Sequence, residues 1–202
     1  MFKESAKYVS DIAVAVDNKT VEANLATLGV RPVQLTWKTK CPGEFCAGSI
    51  VVENVTVHGL DTLYSSHSGG PCQLQSTRIA EALRFHSLMV RGSANFKNVI
   101  TEGNHDFVTE IHDVAVNFEV NLEKPETKFE FVSWRSLEIS ILELDQHKRT
   151  GRVLNAFIHG YLENELPILL STHLSNIYKQ LTVAKPENVL PATNCDCGTE
   201  RQ

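Results

Sequence analysis

The first residues of the chain place apolar side chains at helical spacing. They recur at steps of three and four, with charged residues between them. The apolar set is Phe2, Ala6, Val9, Ile12, Ala13 and Val16. We expect Asp17-Asn18 to interrupt this helix, residues 21–28 to continue it, and Gly29 to cap its C-terminus. The sequence therefore predicts an N-terminal helical segment over residues 3–28.

Alternation of apolar and polar residues then dominates the middle of the chain. After an irregular, turn-rich stretch over 30–48, it marks four long segments separated by turn-like loops. These segments cover residues 48–65, 76–97, 106–123 and 127–144. Each is about twice the usual strand length of roughly 5–6 residues. The fourth segment is the most regular, with Trp134 at its midpoint.

Three of these segments change the phase of their alternation near the middle. The change falls at Gly59 in the first, just after Phe85 in the second and just after Ile111 in the third. A strand that slips by one residue contains a bulge, which bends the strand and increases its twist. We therefore predict an α+β fold with a strongly curved, antiparallel four-stranded sheet over residues 48–144. The concave apolar face of such a sheet must be covered.

Two amphipathic helices over residues 150–184 are predicted to provide that cover. The apolar set of the first helix is Val153, Leu154, Phe157, Ile158, Tyr161 and Leu162. Asn164 can cap the second helix, with Pro167 tolerated in its first turn. The second helix carries a stripe at steps of three and four: Leu166, Leu170, Leu174, Ile177 and Leu181. Ile168 and Leu169 point away from this stripe and suggest a second apolar patch.

The order of one helix, four bent strands and amphipathic helices resembles the super-roll of the tubular lipid-binding (TULIP) superfamily. The likeness covers roughly residues 3–185 and is greatest to the group-7 mite allergens. In those proteins a strand reads like "ENVTVHGLDTLY", whose Val-x-Gly-Leu is Val57-His58-Gly59-Leu60 here. The segment "NAFIHGYLENELPILLSTHLSNIYKQL" is similar to their paired apolar helices. Juvenile-hormone-binding and takeout proteins, and the half-domains of bactericidal/permeability-increasing protein, belong to the same superfamily.

The resemblance implies that a lipid or another hydrophobic small molecule binds between the concave sheet and the helices. Such sites need few polar groups, so no sequence motif marks them. The candidate lining residues are Val114, Val116, Phe118, Phe129, Phe131, Leu137, Ile139, Phe157, Tyr161, Leu170 and Leu174. For any single one of them, an ordinary core position is the favoured alternative. We expect a single domain over residues 1–202, with a polar, flexible tail over 187–202.

Charge and motifs narrow the function further. The chain has 202 residues and a net charge of -5, whereas proteins that bind nucleic acid usually carry a clustered basic surface. No stretch approaches the roughly 20 apolar residues that span a bilayer. The eight histidines form no HExxH motif, and neither a nucleophile elbow nor a phosphate loop occurs. We therefore expect no nucleic-acid partner, no metal, no cofactor and no enzymatic activity.

Five cysteines offer disulfide candidates with alternative pairings. They are Cys41, Cys46, Cys72, Cys195 and Cys197. The first two can close a small local loop around Pro42-Gly43. One of the last two could pair with Cys72, which would leave one thiol over for a bridge between chains. A zinc site would need about four closely spaced ligands, so we favour disulfides and allow a dimer.

Two glycosylation sequons bear on the compartment. They are Asn18-Lys-Thr20 and Asn54-Val-Thr56. The charged N-terminus is unlike a signal peptide, so the chain is either cytosolic or mature, with its leader removed. The sequons and the cysteines favour a secreted glycoprotein.

The sequence thus predicts a secreted, non-enzymatic protein that binds a lipid or another hydrophobic small molecule. The alternative is a protein-interaction module of the innate-immunity type, with a closed core, acting through its surface. A membrane surface is a further partner that either hypothesis allows.

Overall fold

The computed structural model describes seven stretches of the chain. They are residues 2–23, 27–38, 47–65, 78–99, 102–121, 126–144 and 149–181. All five cysteines (Cys41, Cys46, Cys72, Cys195 and Cys197) and the tail over 187–202 lie outside the described residues. The disulfide pairings and the flexible tail therefore stay predictions.

The described residues form one large antiparallel sheet and two helices. The helices are α1 (Phe2–Glu22) and α2 (Arg149–Gln180). The strands are β1 (Thr27–Gly29), β2 (Val33–Lys38), β3 (Ala47–His58), β4 (Leu63–Ser65), β5 (Arg78–Asn98), β6 (Glu102–Asn121), β7 (Glu126–Ser133) and β8 (Ser136–Ile141). The sheet order is β1-β3-β5-β6-β7, with β2 also on β3, β4 on β5, and β8 on β6. The predicted α+β class with a curved antiparallel sheet is confirmed.

The N-terminal region differs from its prediction in two respects. Helix α1 continues through Asp17-Asn18 without a break, and it ends at Glu22 rather than at residue 28. Beyond α1, Thr27 pairs with His58 as the first residue of β1, so the expected cap at Gly29 is wrong. The stretch expected to be irregular contains β2, whose apolar Val33, Leu35 and Trp37 alternate with polar residues. That alternation is a strand signal that we missed.

Two of the four predicted long strands are split. The first becomes β3 and β4, which pair with successive parts of β5. The link contains Gly59 at φ +87°, where an added Cβ would lie 2.6 Å from the Ser87 carbonyl oxygen. The fourth, which we expected to be regular, becomes β7 and β8. The link stays beside β6, since the Arg135 amide donates to the His112 carbonyl at 3.1 Å.

The phase changes predicted in β5 and β6 are confirmed and lie opposite each other, but the pairing of these two strands shows no bulge of the kind expected there. The buried residues change parity after Phe85 in β5 and after Ile111 in β6. Pairing omits His86 and Asp113, yet the pairs on either side keep the same register. Asp113 has a left-handed backbone, with φ 53°. The two long strands therefore bend together without slipping past each other.

The bulge in β3 lies elsewhere than predicted. The register against β5 shifts by one residue between Glu53 and Thr56, and Asn54 has φ 55°. Val52 and Val55 are both buried, so the parity changes within β3 at this point, whereas Gly59 follows the last residue of the strand. A second shift occurs between β6 and β7, where Val116 faces Phe131 but Ala115 faces Ser133. Bulges of this kind increase strand twist, which accounts for the curvature of the sheet.

Helix α2 replaces the two predicted C-terminal helices. It runs for 32 residues with Pro167 inside it. The Asn164 side chain does not cap a new helix, because its Nδ2 donates to the Gly160 carbonyl at 2.7 Å, one turn back. Proline lacks an N–H, so the Glu163 carbonyl receives no helical hydrogen bond there. The helix contacts α1, β7 and β8.

Candidate functional site

The predicted lining residues all belong to one apolar core. Those on β6 to β8 are Val114, Val116, Phe118, Phe129, Phe131, Leu137 and Ile139, and those on α2 are Phe157, Tyr161, Leu170 and Leu174. Phe131, Leu137 and Phe157 are partly buried, and the other eight are buried. Whether any of them touches a ligand stays a prediction.

Side chains fill the space between the sheet and the C-terminal part of α2. The rings of Phe118, Phe129 and Tyr178 form a cluster that we call the ring cluster. Their centroids lie 5.1 Å apart for Phe118–Phe129, 5.9 Å for Phe118–Tyr178 and 5.8 Å for Phe129–Tyr178. Leu174, one turn before Tyr178, has no exposed surface. Rings at these separations are in direct contact, so the described side chains pack directly against each other at this end of the interface.

An apolar cavity lies at the other end of the same helix. We call it the edge cavity, and its volume is about 370 Å³. Its lining residues are Leu35, Trp37, Ile50, Arg149, Val153 and Phe157. Small-molecule sites typically have volumes of roughly 300–1,000 Å³ and mostly apolar walls. Of the eleven predicted lining residues, only Phe157 lines the edge cavity.

One wall of the edge cavity comes from the pairing of β2 with β3. Leu35 pairs with Ile50, and Trp37 pairs with Gly48. A Cβ on Gly48 would lie 2.5 Å from Cζ2 of the Trp37 ring, so the indole occupies space that only glycine leaves. The Trp37 ring also lies 6.2 Å from that of Phe96, centroid to centroid. The glycine thus fixes the position of the largest wall residue.

The opposite wall comes from the first turns of α2. Arg149, Val153 and Phe157 follow each other at steps of four, which places them along one face of the helix. The sequence pattern assigned Val153 and Phe157 to the apolar side of this helix. It did not indicate that β2 would face them, because β2 itself was missed. The alternation in β2 was the signal that could have identified this wall.

Helix α2 is hydrogen-bonded to both edges of the curved sheet. The Tyr161 hydroxyl donates to the Arg31 carbonyl, just before β2, at 2.6 Å. Asn155 donates from Nδ2 to the Ile139 carbonyl of β8 at 3.3 Å. Burial, and then the charge of Glu165, raise the pKa of Tyr161 to about 12, so its hydroxyl stays a donor at neutral pH. These contacts hold the helix between the two edges, beside the edge cavity.

Polar features elsewhere are less suited to an apolar ligand. A hollow of about 380 Å³ on β6 and β8 is lined by Val108, Glu110, His112, Glu138 and Ser140. Among the described residues, no three His, Cys, Asp or Glu side chains are arranged to hold a metal ion. Within that part of the chain, neither helix is both long and apolar enough to span a bilayer.

The glycosylation candidates and the predicted apolar patch are resolved in part. Asn18 and Asn54 are both exposed, and their modification stays a prediction.

The predicted second apolar patch is half wrong. Ile168 is 63% exposed, but Leu169 is partly buried against the core. Ile168 therefore lacks the apolar neighbour that we expected beside it.

The chain matches known proteins in structure but not in the sequence comparisons. No family model matches it, and no curated protein does. Among solved structures it is similar to a lipopolysaccharide binding protein, with 15% sequence identity and a TM-score of 0.47. The match covers 81% of this chain but only 35% of the other, so the chain spans about a third of that protein. What this chain binds must therefore be inferred from its own geometry.

Proposed function

We propose that this protein is a non-enzymatic binding protein for a lipid or another hydrophobic small molecule, held in the edge cavity. One observation carries the proposal: a cavity of about 370 Å³, lined by five apolar side chains and one arginine, lies between α2 and an edge of the sheet. The site adjoins the β2 edge of the sheet, whereas the predicted lining residues of the sheet lie on β6, β7 and β8, towards the opposite edge.

Burial of apolar surface supplies the affinity of such a site. Each Å² of apolar ligand surface removed from water contributes roughly 25 cal/mol before the costs of association. Leu35, at the cavity, is 45% exposed, so covering it with a ligand would also remove protein surface from water. The walls offer an aliphatic chain or a ring system apolar contact on both sides.

Filling the cavity with a larger side chain tests this proposal. We expect wild-type protein to bind Nile red, a neutral apolar fluorophore, with a rise in its emission. Val153→Trp should weaken this binding by about tenfold or more, because the indole would occupy the ligand volume. Ile168→Trp, on the same helix but exposed, is the matched control and should bind like wild type.

Two outcomes would contradict the proposal. One is wild-type protein that binds no Nile red, which would favour the alternative of an interaction module acting through its surface. The other is folded Val153→Trp protein with unchanged affinity. Circular dichroism of each variant establishes that it is folded. Native mass spectrometry of protein purified from its source should also detect a co-purifying hydrophobic molecule.

We also propose that the protein is secreted. The support is that both sequon asparagines, Asn18 and Asn54, are exposed and accessible to glycans. Expression with a secretory leader in mammalian cells should give a product whose mobility increases after enzymatic removal of N-glycans. Asn54→Gln and Asn18→Gln, tested singly, assign the modified site. Absence of any shift in wild type would count against the glycoprotein part of the proposal.

A further inference from the structure

Among the described residues that line the edge cavity, one is cationic. Arg149 lines the cavity at the first position of α2, and the other lining residues are apolar. Arg149 is also exposed, as expected for a long cationic side chain that borders both apolar surface and water. The described lining is therefore apolar apart from one guanidinium-bearing residue, which is exposed.

The start of α2 increases this positive character. Its first turn contains Arg149 and Arg152 and no acidic residue. Helix N-termini carry a partial positive charge and are normally complemented by acidic side chains. Two arginines at this end add to the charge of the helix terminus, in a chain whose net charge is -5. A guanidinium with several N–H donors among the lining residues could contact an acidic ligand group in addition to its contacts within the protein.

We propose that the ligand is an anionic amphiphile: an aliphatic chain in the edge cavity, with an acidic headgroup at Arg149. A guanidinium presents parallel N–H donors that match the two oxygens of a carboxylate or a phosphate. A neutral headgroup gains much less from the same contact. This inference rests on the proposed function, and it adds the chemical class of the ligand.

The nearby Arg152 provides a control that distinguishes a specific contact with the headgroup from a general electrostatic attraction. It lies in the same turn of α2 and is exposed, but it does not line the cavity. Both arginines contribute to the overall potential, whereas only Arg149 is placed to touch a headgroup at the mouth. The two substitutions Arg149→Gln and Arg152→Gln therefore remove equal charge from different positions.

Displacement of Nile red by ligands that differ only in headgroup tests the proposal. Decanoic acid, ionised at neutral pH, decyl phosphate and decanol share one chain length. We expect at least one of the two anions to displace the dye from wild-type protein at about fivefold lower concentration than decanol, because the contact is partly exposed to solvent. The ratio of decanoic acid to decyl phosphate then identifies the preferred headgroup.

The variants should differ clearly in their preference for the two anions over decanol. Arg149→Gln should lose the preference for the anions while decanol still displaces the dye as before. Arg149→Lys should keep part of the preference, and Arg152→Gln most of it. Raising the salt concentration should reduce the preference of wild type, since exposed charges are screened.

The possible failures of the two proposals can be told apart. If wild type binds no Nile red, or none of the three amphiphiles displaces it, the proposed function itself fails. If the three displace it equally from wild type, or if Arg149→Gln keeps the full preference, the cavity still binds apolar chains but the assignment of an anionic headgroup to Arg149 is overturned.

Discussion

The two ends of α2 meet the same sheet in different ways. At its C-terminal end the ring cluster of Phe118, Phe129 and Tyr178 leaves the helix in direct contact with β6 and β7. At its N-terminal end the helix faces β2 and β3 across the edge cavity. Aromatic residues from β6, β7 and α2 pack against each other at one end. At the other end a cavity separates the helix from β2 and β3. The comparison indicates that open volume arises where a curved sheet brings an edge strand towards the helix.

Removing one aromatic side chain at each end of α2 should reveal the largest difference between the two ends, in the free energy of unfolding. Phe118 is fully buried, and Phe118→Ala should lower the free energy of unfolding by about 3–5 kcal/mol through lost burial and a new cavity. Phe157→Ala borders existing space and is only partly buried, so it should cost about 1–2 kcal/mol. Urea denaturation measures both values. Equal losses would show that the two ends are packed alike.

Nile red binding should respond in the opposite order. Phe157→Ala removes a wall of the edge cavity, so it should weaken the binding of Nile red. Folded Phe118→Ala should bind the dye like wild type.

A methyl group added at Gly48 tests how the wall of the edge cavity is positioned. Gly48→Ala places a Cβ 2.5 Å from the Trp37 ring and 2.6 Å from the Lys97 carbonyl oxygen, so the indole must move. We expect a loss of about 1–3 kcal/mol in the free energy of unfolding, a shift of tryptophan emission and weaker Nile red binding. Gly29→Ala is the matched control, since nothing lies within 4 Å of its added Cβ. Similar behaviour of the two variants would contradict the role assigned to Gly48.

Acidification should lower the free energy of unfolding through His173, in the C-terminal half of α2, by less than the substitutions above. His173 is 6% exposed with Nε2 unpartnered, and burial lowers its pKa. Its contribution to stability is present above the unfolded-state pKa of about 6.5 and is lost as the pH falls towards the lower folded-state value. Wild type should therefore lose more stability than His173→Gln in this pH range. Parallel stability curves for the two proteins would contradict the expectation.

The alternation of apolar residues predicted the curved sheet because it records which side of a strand is buried. The phase changes after Phe85 and Ile111 marked real bends for this reason. The same pattern placed the bulge of β3 at Gly59, although it lies at Asn54. Both positions have positive φ, and only pairing with β5 distinguishes a bulge from the end of a strand.

Tertiary contacts account for the remaining errors. Asn164 and Pro167 are residues that often begin a helix, but packing along the length of α2 keeps it continuous through both. The edge cavity was missed because its existence depends on the distance between two walls. Apolar residues such as Leu35 and Val153 look the same in a sequence whether they touch each other or a ligand. No residue type in a sequence marks the position of an empty volume.

The paired bend of β5 and β6 limits how this chain can change its length. The two strands keep one register on both sides of the omitted pair His86 and Asp113. Deleting one residue from β5 beside the bend would turn every inward side chain beyond it outward, unless β6 lost one as well. Insertions and deletions in these strands should therefore be tolerated only as matched pairs, so the bend fixes the lengths of two segments jointly.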